Sequence, residues 1–149
     1  MNNEKFLDIA IEAAITASNV IMDDFSKTKT PKYKGSIDLV TKTDLESEKI
    51  IKNIILSTYP NHSILAEESG KKNFGSDFLW IIDPIDGTNN FLHGIPHFSI
   101  SVGLKSNNEI IAGVIFDPIK NELFFGEKNN GAYINNRRIR VSKKNKLDE

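Results

Sequence analysis

The sequence has no cysteine. That absence excludes a disulfide framework, a thiolate metal site and a cysteine nucleophile together. An excess of one charge is also missing. Nineteen Lys and Arg oppose 20 Asp and Glu, a formal net charge of −1, so nothing marks the chain for nucleic acid. No apolar run approaches the roughly 18 residues needed to cross a bilayer. The N-terminal stretch carries acids inside its apolar pattern, unlike a signal peptide. A cytoplasmic protein with no membrane or nucleic-acid partner is the expectation. Tryptophan occurs once, at Trp80. What is there is ordinary: 149 residues, 39% hydrophobic and 26% charged. A chain of that length can bury about 70% of its unfolded surface without staples.

The pattern divides in two. Over residues 3–26, Phe6, Leu7, Ala10, Ala13, Ala14, Ala17, Ile21 and Phe25 recur every three or four positions, one apolar stripe of a helix. A basic stretch with Pro31, residues 26–35, reads as a loop, and residues 37–41 as a short extended segment. A second helix is predicted from Thr43, where Thr43-Asp44-Leu45-Glu46 fits a capping box. Ile50, Ile51, Ile54 and Ile55 give it a buried face, and Tyr59-Pro60-Asn61 ends it. From residue 63 the period changes to two. Strands are expected over residues 63–68, 78–83, 98–105, 109–116, 121–128, 131–135 and 137–141, with turn signals rich in Asn between the later ones. Two helices followed by a meander predict an α+β fold, with the helices packed on one face of a largely antiparallel sheet.

The chemistry concentrates at residues 80–91. An apolar run ends at Asp83, Pro84 fixes φ and removes a donor, and a turn is expected to bring Asp86 back beside Asp83. Two carboxylates that close repel unless a cation lies between them. Oxygen ligands, with no cysteine and no paired histidine, favour Mg²⁺ over Zn²⁺. Glu67-Glu68 also stands at a strand exit. If the two strands are neighbours, Glu67 joins Asp83 around the metal. Behind the acids, Gly87 lets backbone come close to a ligand, its neighbouring N–H groups suit an anion, and Thr88 adds a hydroxyl. Acids, glycine and threonine together read as the start of a metal-assisted phosphate hydrolysis site. Singly, each feature has a plainer use: Asp83-Pro84 as a turn, Asp86-Gly87-Thr88 as a helix start, Asp44 as an acid in a first helical turn, Glu67-Glu68 as a solvated pair.

These segments are similar to the inositol monophosphatase family of Mg²⁺-dependent sugar phosphatases. Residues 34–44 look like its early segment, Ala66-Glu67-Glu68-Ser69 like its Glu-Glu motif, residues 80–91 like its long signature, and residues 131–136 also follow its pattern. The resemblance implies the first half of the layered sugar-phosphatase fold, with residues 1–149 as a metal- and phosphate-binding N-terminal domain. It implies one Mg²⁺ on Glu67, Asp83 and the carbonyl of Ile85, and a second on Asp83 and Asp86. Asp44 and Thr88 would orient and activate the attacking water, and Gly87 with Thr88 would receive the phosphate. Glu67, Ile85, Asp86, Gly87 and Thr88 would thus border the substrate. Asp44 takes its role from the resemblance alone.

Family chains continue into a second α/β domain with a further aspartate in a Trp-Asp motif. Residues 141–149 are polar and contain nothing of the kind. The expectation is therefore an N-terminal domain without its C-terminal partner. A missing ligand should cost more than the ~10²-fold in rate that a 1 Å misplacement can cost. The exposed face of the sheet should also be apolar. The function expected is hydrolysis of inositol 1-phosphate or a related sugar phosphate monoester, impaired or lost in this chain. The alternative is a non-catalytic binding or assembly module. Family members are often dimers, so the expected partners are a second copy or a separate C-terminal half. The haloacid-dehalogenase phosphatases use an Asp-x-Asp-Gly-Thr run, but with acids two apart; here they are three apart, through a proline.

Overall fold

In the computed structural model, which describes residues 5–27 and 36–144, helix α1 spans Phe6–Lys27 and buries Phe6, Ala10, Ala13, Ala14, Ala17 and Ile21. The four alanines let it lie close against its neighbours, and Phe6 and Ile21 fill the ends of the stripe. The loop expected at residues 26–35 lies outside the described residues, apart from Ser26 and Lys27, which close α1. Helix α2 spans Ser36–Thr58. Its Ile51 and Ile55 are fully buried and Ile50 and Ile54 pack against the core.

Two expectations fail here. Residues 37–41 are helical, and Thr43 lies inside α2 rather than at its start. The capping box therefore does not form, because the backbone N–H groups that it would satisfy already belong to the helix. Thr43 is buried and its hydroxyl instead donates to Asp24 of α1 at 2.7 Å, tying the two helices together.

Eight strands form one sheet in the order β2-β1-β3-β4-β5-β6-β7-β8. They are β1 Ser63–Ala66, β2 Gly70–Lys72, β3 Phe78–Asp86, β4 Ser99–Ser106, β5 Glu109–Asp117, β6 Glu122–Glu127, β7 Gly131–Ile134 and β8 Arg137–Ile139. Every pairing is antiparallel except β1 with β3. The α+β class and the helices on one face are as the pattern predicts. The edge strand β2 was not predicted as an element, and the short helix α3, Thr88–Leu92, begins where the plainer reading of Asp86-Gly87-Thr88 as a helix start puts it. Asparagines supply left-handed backbone at the tight turns, at Asn107, Asn108, Asn121, Asn129 and Asn135.

Alternation divides the sheet into two faces. Ile64, Ala66, Trp80, Ile82, Ile100, Val102, Leu104, Ala112, Val114 and Phe116 are buried toward α1 and α2. The opposite face exposes Leu65, Ile81 and Ile115. Gly103, Gly113 and Gly126 align in register across β4, β5 and β6 and floor an apolar trough there. No described helix is long and apolar enough to cross a membrane.

Candidate metal and phosphate site

The parallel pairing of β1 with β3 sets Ala66 beside Ile82, so Glu67, just past the end of β1, lies next to Asp83 of β3. A hydrogen bond from the Glu67 N–H to the Ile82 carbonyl, 3.2 Å, fixes that register. The expected turn at Pro84 is absent. β3 runs through to Asp86, and a bulge between Asp83 and Asp86 takes up the extra residues, with Asp83 opposite Ser101 and Asp86 opposite Ser99. Proline is tolerated there because a bulge, like a turn, leaves a position that need not donate to the ladder. Inside the bulge the Ile85 N–H donates to the Asp83 carboxylate.

Asp83 is half-buried, and its Oδ1 is fully enclosed with no hydrogen-bond partner among the described residues. Burial pushes its pKa up to about 7, helped by Glu67, which lies close enough to share a proton with it, and by the charge of Asp86. Asp44 comes in from α2, 3% exposed. Burial first, then the charges of Glu68, Glu67, Asp83 and Glu48, push it up to about 7 as well. Both acids thus stand in a field of their own sign.

The structure therefore brings Asp44, Glu67 and Asp83 together from three separate elements. Asp86 is exposed and reaches Asp83 through its charge. No three described His, Asp or Glu side chains close into a ready metal cage. The residues still fit a hard divalent cation. An orphaned buried carboxylate oxygen held beside other acids is a group that such an ion would satisfy.

Gly87 precedes α3 in a left-handed conformation, φ 97°. A Cβ there would lie 3.1 Å from the His97 carbonyl and 3.3 Å from Phe98. Close approach of the chain is thus one reason for glycine, independent of any ligand. The Thr88 hydroxyl donates to the Ile85 carbonyl at 2.9 Å, which leaves its oxygen lone pairs for an outside donor. Asn90 donates to the His97 carbonyl at 2.7 Å and pins the following loop. Asp86, Gly87, Asn90, His97, Phe98 and Ser99 line a cleft beside the acids.

The family model of the inositol monophosphatases matches residues 2–149. The chain belongs to the inositol monophosphatase family. Inositol monophosphatase 3 of Solanum lycopersicum is 40% identical over 148 residues, covering 97% of this chain and 55% of that protein. The structure of an inositol monophosphatase from Anabaena superposes with a TM-score of 0.82 at 43% identity, covering 97% of this chain and 52% of that one. The extragenic suppressor protein suhB from Bartonella henselae gives 0.85 at 38% identity, covering 95% and 56%. The chain spans about half the length of the curated relatives it matches.

One part of the candidate site escaped the sequence reading. Glu48 and Lys52 of α2 contact the turn that carries Glu67. Their only sequence signal is Asp44, Glu48 and Lys52 at four-residue spacing, which reads as a surface ion pair.

Proposed function

We propose that the chain is the metal- and phosphate-binding half of a cytoplasmic, Mg²⁺-dependent phosphomonoesterase of the inositol monophosphatase type, acting on inositol 1-phosphate or a related sugar phosphate. The observation that carries this is the convergence of Asp44, Glu67 and Asp83, with Asp83 Oδ1 enclosed and unpartnered.

Glu67, Asp83, the Ile85 carbonyl and Asp86 are the groups that would hold Mg²⁺. When bound, the metal would neutralise these acids together with the phosphate and polarise its P–O bonds. Gly87 and Thr88 would face the phosphate beside Asp86, in the cleft next to α3. Asp44, buried on α2 beside Glu67 and Asp83, would take the proton of the attacking water. Thr88, its own proton committed to Ile85, can accept a hydrogen bond from that water and so orient it.

The test is phosphate release from inositol 1-phosphate with Mg²⁺ present, comparing the parent chain with Asp86→Asn. The expected parent rate is low and the variant rate lower still. If the substitution changes nothing, the role given to Asp86 is wrong. A parent turnover matching a full-length family enzyme would instead remove the expectation of impairment. A second reading, a non-catalytic binding or assembly module, is favoured by the lack of a closed three-acid cage among the described residues. It predicts no Mg²⁺-dependent release at any enzyme concentration.

A further inference from the structure

Glu48 is a buried acid that the proposed chemistry does not use. It is 1% exposed, yet it is surrounded by donors. Its Oε1 accepts from Lys52 Nζ at 2.9 Å. Its Oε2 accepts the backbone N–H of Glu68 at 2.9 Å and that of Ser69 at 3.4 Å. Lys52 Nζ also donates to Ser69 Oγ at 2.9 Å. The turn Glu67–Ser69 is exposed on its outer side and joins the four-residue β1 to the three-residue β2 at the sheet edge. Its three successive N–H groups all go inward, that of Glu67 to the Ile82 carbonyl of β3 and the other two to Glu48 of α2.

An edge turn between strands this short has little of its own to fix its shape. The side chain of Glu67 takes its direction from the backbone on either side of it, which β3 holds on one side and Glu48 on the other. We propose that Glu48, supported by Lys52, is a positioning residue that clamps the Glu67–Ser69 turn and aims Glu67 toward Asp83. The inference rests on the reading of Glu67 as a metal ligand. Glu48 touches no substrate and holds no metal; it acts through the turn, as outer partners of metal ligands do.

The experiment uses the whole chain with Mn²⁺ as the probe, titrated calorimetrically or by electron paramagnetic resonance, alongside amide exchange on the metal-free protein. Glu48→Ala is expected to weaken Mn²⁺ binding by about 10–100-fold and to speed exchange at Glu68 and Ser69 while the β3 amides stay protected. Glu48→Gln, which keeps one acceptor, and Lys52→Met should fall between parent and Glu48→Ala. They carry the test if the alanine variant does not fold. Ile55→Val, a core change outside the site, should leave Mn²⁺ affinity where it was. The clamp is overturned if the Glu48 and Lys52 variants bind Mn²⁺ like the parent while Glu67→Ala does not, or if Ile55→Val weakens binding as much as they do. If Glu67→Ala is itself without effect, the ligand reading fails, and the clamp with it.

Discussion

Asp44 and Glu48 sit one turn apart on α2, 3% and 1% exposed, and their protons respond in opposite directions. Burial works against the charge of both. At Asp44 the nearby Glu68, Glu67, Asp83 and Glu48 add to that penalty, and the pKa rises to about 7. At Glu48 the Ser69 and Lys52 side chains and the Glu68 N–H outweigh it, and the pKa falls below the ordinary glutamate value. Depth in the protein does not separate the two residues; the supply of donors does. A satisfied buried acid is part of the scaffold. Asp44, raised while its neighbour is so fully supplied with donors, stands where the proposed cation would act.

The largest effect should come from removing each acid in turn. Glu48→Leu keeps the volume buried but strands the N–H groups of Glu68 and Ser69 and leaves Lys52 with only the Ser69 hydroxyl as acceptor. Unsatisfied groups of this kind cost about 1–3 kcal/mol each, less where water can reach. The turn is exposed, so a loss of about 2–3 kcal/mol in a urea titration at pH 7.5 is expected. Asp44→Asn removes a charge that its surroundings oppose, so the metal-free protein should be as stable as the parent or more so. Equal losses in the two variants would erase the distinction.

The same contrast separates along the pH axis. Asp44 and Asp83 have raised folded-state values of about 7. Their contribution is therefore fully present below the ordinary aspartate value of 3.8 and is lost as pH rises toward 7. Glu48 and Asp117 have lowered values. Theirs is present above the ordinary values of 4.5 and 3.8 and is lost as pH falls below them. The metal-free chain should thus melt lower at pH 7.5 than at pH 5. Asp83→Asn should flatten that slope, and Mg²⁺ added at pH 7.5 should raise the melting point of the parent more than that of the variant. An identical slope in parent and variant would show that Asp83 does not titrate in this range.

How much of this the sequence shows follows from what each feature depends on. The placing of Glu67 next to Asp83 was legible, because two apolar runs each end in acid and neighbouring strands bring such ends together. The bulge was not. Asp83-Pro84 suits a turn and a bulge alike, and the pairing of Asp83 with Ser101 and Asp86 with Ser99 decides between them. Thr43 carried a valid local capping signal, but α2 extends past it to Ser36 and puts the hydroxyl to tertiary use against Asp24. Glu48 was least legible. Two of its partners are backbone N–H groups twenty and twenty-one positions later, and every residue type except proline has one to offer. Asp83 could be found from residue type and spacing, and Asp44 only through the family resemblance, whereas the satisfied Glu48 needed coordinates.

Asp117 offers the finest test of the rule, because it repeats the Glu48 arrangement at smaller scale. It stands at the end of β5, 8% exposed, and accepts the N–H groups of Ile119 and Lys120 at 3.0 Å each and Lys120 Nζ at 2.6 Å. Burial opposes its charge, and the Lys120 side chain and these N–H groups overcome it. Its donors sit in an adjacent turn rather than on a distant segment, and Lys120 is about half exposed, 48%. Water can therefore replace much of what the side chain provides, and Asp117→Ala should cost about 1–2 kcal/mol, near the value of a lost cap. The deficit should shrink as pH falls below 3.8, where the folded parent carboxylate in turn loses its charge. Glu48 and Asp117 each have three donors, but those of Asp117 are the more exposed, so Asp117→Ala must fall between Glu48→Leu and Asp44→Asn. A loss larger than that of Glu48→Leu would mean that local turn geometry, and not the burial of the donors, sets the scale.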